Sequence, residues 1–195
     1  MVYKRLYKFL VKNGILYDSQ YGFRHNHSTV HAVTEFIEKV IKCFEKGELT
    51  LGIFLDLSKA FDTISHEIVL EKMERYGVRG IALKWFKSYL KDQEHYVKFN
   101  GSCSNKQKVE IGVPQGSVLG PLLFLIYTND LHKCLKSSSS IIFTDDTTVY
   151  STGKDIELLF DNLKEDMSYL INWFKANKLS LNLSKTNYIL SLIHI

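Results

Sequence analysis

Two apolar runs in this chain end in aspartate, and any fold has to account for both. Gly52-Ile53-Phe54-Leu55 runs into Asp56, and Ile141-Ile142-Phe143 is followed after one residue by Asp145-Asp146. An unpaired carboxylate against a core is costly and adjacent like charges repel, so such positions need cations or strong donors. Hard oxygen ligands of this kind select Mg²⁺ or Mn²⁺. If the two runs are neighbouring strands, Asp56 and Asp145 converge and could bridge two ions about 3.5 to 4 Å apart, as in-line phosphoryl transfer requires. Taken alone, the same residues read first as turn aspartates that bond their own backbone.

Around these runs the pattern alternates between helix and strand. From Ser28, the spacing of Val33, Phe36, Ile37, Val40, Ile41 and Phe44 predicts an amphipathic helix, with Ser28 or Thr29 as its cap and Gly47 as its terminator. A second stripe, Ile156, Leu159, Phe160, Leu163, Met167, Leu170, Ile171 and Phe174, predicts the longest helix over about 154–177 and is read as core packing. Shorter helices are expected over 65–76 and 81–90. Pro121 suits the first turn of another through Leu122-Leu123-Phe124-Leu125-Ile126-Tyr127. Strands are expected over 51–57, 95–99 and 108–113, with a hairpin of 141–143 and 147–150 carrying the aspartate pair at its tip. Ser137 to Ser140 reads as a loop, and Asp130 as a structural or capping residue. Interspersed helices and strands imply an α+β or α/β layered fold.

Composition narrows the classes further. With 195 residues, 45% hydrophobic and 24% charged, the chain suits one domain or a compact two-lobed unit, and disorder and collagen are excluded. No run approaches the ~20 apolar residues of a membrane span, and Lys4, Arg5 and Lys8 interrupt the opening residues, so neither a membrane protein nor a secretory precursor is expected. Cys43, Cys103 and Cys134 are odd in number and widely spaced, which argues against disulfides or a zinc site and for an intracellular setting, cytoplasm or nucleus. His25, His27 and His31 lack partners at ligand spacing and read as a surface cluster. The net charge of +4 is uneven: residues 1–50 hold 8 Lys/Arg against 5 Asp/Glu, and residues 101–195 hold 9 of each.

Five segments together resemble the reverse transcriptase family, and more closely the reverse transcriptases of non-LTR retrotransposons. Phe54-Leu55-Asp56-Leu57-Ser58-Lys59-Ala60-Phe61-Asp62 is similar to the first catalytic motif, and Gly112-Val113-Pro114-Gln115-Gly116-Ser117 with Val118-Leu119-Gly120-Pro121 to the second. Phe143-Thr144-Asp145-Asp146 resembles the third, with Thr144 where Ala is usual. Gln20-Tyr21-Gly22-Phe23-Arg24 fits upstream and Ser180-Leu181-Asn182-Leu183-Ser184-Lys185-Thr186 downstream, so the match covers about residues 2–189.

The resemblance implies an α+β polymerase right-hand palm: an antiparallel sheet with helices on one face, about residues 51–189, preceded by fingers-side helices over about 1–50, with the thumb missing. It implies an RNA template, a DNA primer and dNTP as partners, and two Mg²⁺ ions as cofactor, with Mn²⁺ an alternative. Asp56 and Asp145 would hold the metals with the Leu57 carbonyl, and Asp146 would support them. Phe61 would exclude a ribose 2′-hydroxyl; otherwise it is an ordinary core residue. Gln115 and Gly116 would meet the nucleotide, where Gly116 permits close approach. Lys185 would protonate the departing pyrophosphate, or else serve only as a solubilising lysine. Arg24 would hold template phosphate or a neighbouring backbone carbonyl.

The resemblance departs at the ends. The upstream fingers element is absent, and the last six residues, 190–195, correspond to one frame of a library adapter, so a non-native tail is expected there. The competing readings are a catalytically inactive relic, an RNA-dependent RNA polymerase, against which Phe61 speaks, and a non-catalytic nucleic-acid-binding module.

Overall fold

A computed structural model describes residues 1–91, 93–114 and 116–191. In chain order the elements are α1 (Val2–Lys12), α2 (Thr29–Glu45), β1 (Leu49–Leu55), α3 (His66–Arg75) and α4 (Gly80–Leu90). Four two-residue strands follow, β2 (Glu94–His95), β3 (Lys98–Phe99), β4 (Ser102–Cys103) and β5 (Gln107–Lys108). Then come α5 (Gly120–Thr128), a 3₁₀ turn (Leu131–Cys134), β6 (Ser139–Phe143), β7 (Asp146–Gly153), α6 (Ile156–Ala176) and β8 (Asn187–Ser191).

The principal sheet has the order β6-β7-β1-β8, and its pairings are antiparallel. Alternation of side chains splits its two faces. Leu51, Leu55, Ile142 and Val149 enter the main core with Leu163, Leu170 and Phe174 of α6 and with Leu122 to Tyr127 of α5, a run buried on every side of its helix. That is the expected helix layer. Gly52, Phe54 and Tyr150 face the other way and meet α2, whose Phe36 ring lies 5.8 Å from Phe54 and 5.6 Å from Tyr150. A β-carbon at Gly52 would lie 3.3 Å from Ile189 and 3.5 Å from the edge of Phe36, so the bare backbone eases the packing of both.

Local chemistry explains most boundaries. Ser28 caps α2 through an oxygen that accepts the His31 N–H, and Asp155 caps α6 by accepting from Glu157 and Leu158. Pro121 occupies the first turn of α5. The stripe of α2 is amphipathic as expected but sparsely covered: Ala32 is its buried residue, while Val33, Ile37, Ile41 and Phe44 are exposed.

Several boundaries differ from the sequence expectation. The strand expected over 95–99 breaks into β2 and β3, and that over 108–113 keeps only its start in β5, with Ile111 bridging Ser65. Residues 94–99 are exposed, so no core face rewards a longer alternating strand. The serine run is also more than a loop. Ser139 and Ser140 begin β6, while the Ser137 and Ser138 amides, with that of Lys136, donate to the carboxylate of Asp166 on α6. Asp130 is structural, pairing at 2.6 Å with the buried Lys72, which also donates to the Tyr127 carbonyl and lies 4.7 Å from the Trp173 ring centre. Leu190 and Ser191 of the expected tail pair with Leu51 and Thr50; residues 192–195 lie outside the described residues.

Candidate active site

The antiparallel register of β1 and β7 determines where the carboxylates meet. Their last pair is Leu55 with Thr147, so one step further on Asp56 and Asp146 stand at corresponding positions. Both belong to the α2 face and line a cleft of 460 Å³ between α2 and the sheet, along with Phe54, Phe143, Thr148 and Lys185. The two-residue turn at 144–145 sets this arrangement, because Thr144 adopts φ 58° and Phe143 pairs directly with Asp146. Asp145 sits in the turn, its Oδ1 accepting the Thr144 hydroxyl at 2.8 Å. The sequence predicts Asp145 opposite Asp56; the register instead brings Asp146 into the cleft beside Asp56 and leaves Asp145 in the turn.

The segment after α6 closes one side. Leu57 forms an isolated bridge with Leu181, the Asn182 amide donates to the Asp56 carbonyl at 2.8 Å, and its side chain donates to Asp56 Oδ2 at 3.0 Å. Lys185 Nζ lies 3.7 Å from the same oxygen, with 69% of its side chain exposed against 21% for Asp56. Burial, then the charges of Asp145 and Asp56, push the Asp146 carboxyl above its ordinary value, with Lys185 pulling the other way. Asn182 belongs to the downstream motif, and its bond to Asp56, 126 positions away in sequence, accompanies the return of β8 beside β1.

Residues 19–22 form a strap against the hairpin that carries the aspartate pair. Tyr21 N–H donates to Ile142 and Ile142 N–H donates to Ser19, which lays the strap along the free edge of β6. Gly22 then touches the hairpin tip so closely that a β-carbon there would lie 2.2 Å from the Thr144 nitrogen, so only glycine fits. Arg24 takes the second of its two expected roles: Nη1 donates to the carbonyls of Tyr17, Asp18 and Gln20, at 2.6, 3.2 and 3.2 Å, and so shapes the strap. Phe23 packs edge-on to Phe61, and Phe61 stacks on Phe124 at 4.8 Å, so Phe61 is half-buried between strap and core. Gly112 abuts Asp62, where a β-carbon would lie 2.8 Å from its carbonyl oxygen, while Gly116 at φ 82° faces open space. Gln115 lies outside the described residues.

Residues 1–192 match the family model for reverse transcriptase (RNA-dependent DNA polymerase). The chain belongs to the reverse transcriptase family. It is 31% identical over 95% of its length to the probable RNA-directed DNA polymerase from transposon BS of Drosophila melanogaster. Against that from transposon X-element of the same species it is 29% identical over 94% of its length. It spans 21% and 20% of these relatives, about a fifth of their length. A telomerase structure from Candida albicans superposes with a TM-score of 0.71 at 14% identity, covering 96% of this chain and 34% of that one. An apo telomerase from Candida tropicalis gives 0.69 at 13% identity, with 96% and 36% covered. These structures place the chain in the right-hand polymerase fold, and the sequence relatives make it a reverse transcriptase domain of the non-LTR retroelement type. Reverse transcriptases generally use divalent metal ions. Among the described residues no helix is long and apolar enough to cross a membrane.

Proposed function

We propose that the chain supplies the palm, about residues 51–189, and part of the fingers, about 1–50, of an intracellular retroelement polymerase that copies RNA into DNA. The observation that carries this reading is the meeting of Asp56 and Asp146 at matching positions of adjacent antiparallel strands, with Lys185 beside Asp56.

In the reaction the primer 3′-hydroxyl oxygen bonds to the α-phosphorus of a dNTP, the bond to pyrophosphate breaks, and the hydroxyl proton is lost. Lys185 is the general acid for the leaving pyrophosphate, and its exposure leaves its ammonium free to reach the cleft. Phe61, braced by Phe124 and Phe23, is the barrier to a ribose 2′-hydroxyl, and Gly116, with Gln115 beside it, admits the nucleotide. Arg24 serves the template indirectly, by holding the strap.

Asp56, Asp145 and the Leu57 carbonyl are the proposed ligands of two divalent ions, Mg²⁺ or Mn²⁺, with Asp146 in support. Among the described residues no three His, Cys, Asp or Glu side chains are grouped as a formed metal site. The donor chemistry nevertheless fits: the oxygens are hard, and the like-charge repulsion felt at Asp146 is what a cation between these residues relieves. When bound, such ions supply activation of the hydroxyl and neutralisation of the leaving charge.

The test is primer extension on an RNA template by a protein of the relatives' length that carries this chain. Metal-dependent extension that falls by about 10³-fold or more in Asp145→Ala is expected. Extension that survives the substitution overturns the chemistry, and RNA binding with no extension favours a binding module. The 195-residue chain alone is expected to extend weakly or not at all, because positioning supplies much of such catalysis.

A further inference from the structure

The face formed by α1 and α4 shares no residue with the carboxylate cleft. The two helices enclose a groove of 510 Å³ in which Leu6, Phe9, Ile81 and Trp85 form apolar walls, with Arg5 on one side and Arg79 on the other. Neither helix contains Asp or Glu. On α1, Lys4, Arg5, Lys8 and Lys12 fall within an arc of about 100° at the helical angle per residue, and Lys4 to Lys12 spans about 12 Å. All four are exposed, as are Arg79 and Lys84. None of these six cations forms an ion pair among the described residues. Beside them Trp85 is 42% exposed and stacks on Tyr89, with ring centres 5.5 Å apart and planes 10° apart, and Ile81 is 87% exposed.

An acid-free basic track next to an exposed tryptophan already stacked on a tyrosine is the combination that grips single strands, because phosphates answer the cations and a base extends the stack. The apolar residues line a recess between two helices, whereas a lipid surface asks for a convex apolar stripe on one. We propose that the α1–α4 face binds single-stranded RNA outside the catalytic cleft, with Arg5 and Arg79 each taking a phosphate and Trp85 stacking on a base. Only the choice of RNA as the strand rests on the polymerase reading. Such a face would hold template at a distance from the hairpin tip and retain it between nucleotide additions.

Anisotropy of a fluorescein-labelled 20-nucleotide oligouridylate, titrated with the 195-residue chain over a range of salt, tests this. Arg5→Gln/Arg79→Gln should weaken binding on the order of tenfold and lower the slope of log affinity against log salt by about 1.4, for two phosphates. In a Trp173→Phe background the oligonucleotide should quench the remaining Trp85 emission, and Trp85→Leu should weaken binding with an unaltered circular dichroism spectrum. Unchanged affinity and slope in a folded double variant overturn the inference, as does a double variant that loses binding to phosphatidylserine vesicles while keeping RNA. Asp56→Asn separates the two readings: it should abolish extension by the longer protein and leave oligonucleotide affinity intact. A protein that extends primers while the double variant binds normally fails this inference alone. One that never extends, yet loses RNA in the double variant, fails the polymerase reading alone.

Discussion

Asp166 and Asp146 are the same residue in opposite circumstances. Asp166 is 1% exposed, within the apolar stripe of α6, where burial raises its carboxyl. The amides of Lys136, Ser137 and Ser138 more than offset that, and the net value lies below the ordinary carboxylate one. Asp146 is more exposed and yet is pushed upward, by partial burial and then by two neighbouring carboxylates that the exposed Lys185 only partly offsets. A buried charge that the fold has fully answered is architecture. A half-exposed charge left in repulsion is held for something the chain does not itself contain.

Substitutions can break this contrast. The largest effect belongs to Asp166→Ala, which leaves three amides without their acceptor and should lower stability by about 3 kcal/mol, read by urea unfolding. The comparison with Asp166→Asn should also depend on pH. Because the folded carboxyl titrates below its unfolded value of about 3.9, its contribution is complete above that pH and disappears as pH falls through the folded value. The difference between the wild type and Asp166→Asn should therefore shrink on acidification and stay constant toward neutrality.

Gly22→Ala comes next. The added carbon has nowhere to go against the Thr144 backbone, so about 2 kcal/mol of destabilisation is expected, together with slower extension because the tip carrying Asp145 and Asp146 must move. The smallest change in stability should follow Asp146→Asn, within about 0.5 kcal/mol of the wild type, even though extension falls sharply. A loss of stability at Asp146 as large as that at Asp166 would erase the distinction.

Much of the fold could be read before any coordinates. The α2 and α6 stripes, the β6–β7 hairpin and the two aspartate runs follow from helical and strand periodicity, whereas the expected partner of Asp56, Asp145, gives way to Asp146. Which aspartate lines the cleft was hidden, since it depends on Thr144 turning through a positive φ and so on strand parity. α1, within the fingers-side helices expected over about 1–50, segregates its Lys and Arg from the face that buries Leu6 and Leu10. β8 has a weak pattern of its own, with Tyr188 and Ile189 exposed, and exists because β1 offers it a partner. Asp166 finds its hydrogen bonds outside its own helix; the amide donors lie about 30 residues upstream, beyond the reach of any periodic pattern.

The strap has a further consequence. Its bonds to Ile142 and its contact at Gly22 join residues 19–22 to a hairpin more than a hundred positions away in sequence. The amides of Tyr21 and Ile142 should therefore exchange their hydrogens in one shared opening event, as parts of a single cooperative unit. The beginning of the chain and the carboxylate tip would then melt together, and a polymerase built on this domain could not loosen one while keeping the other in order.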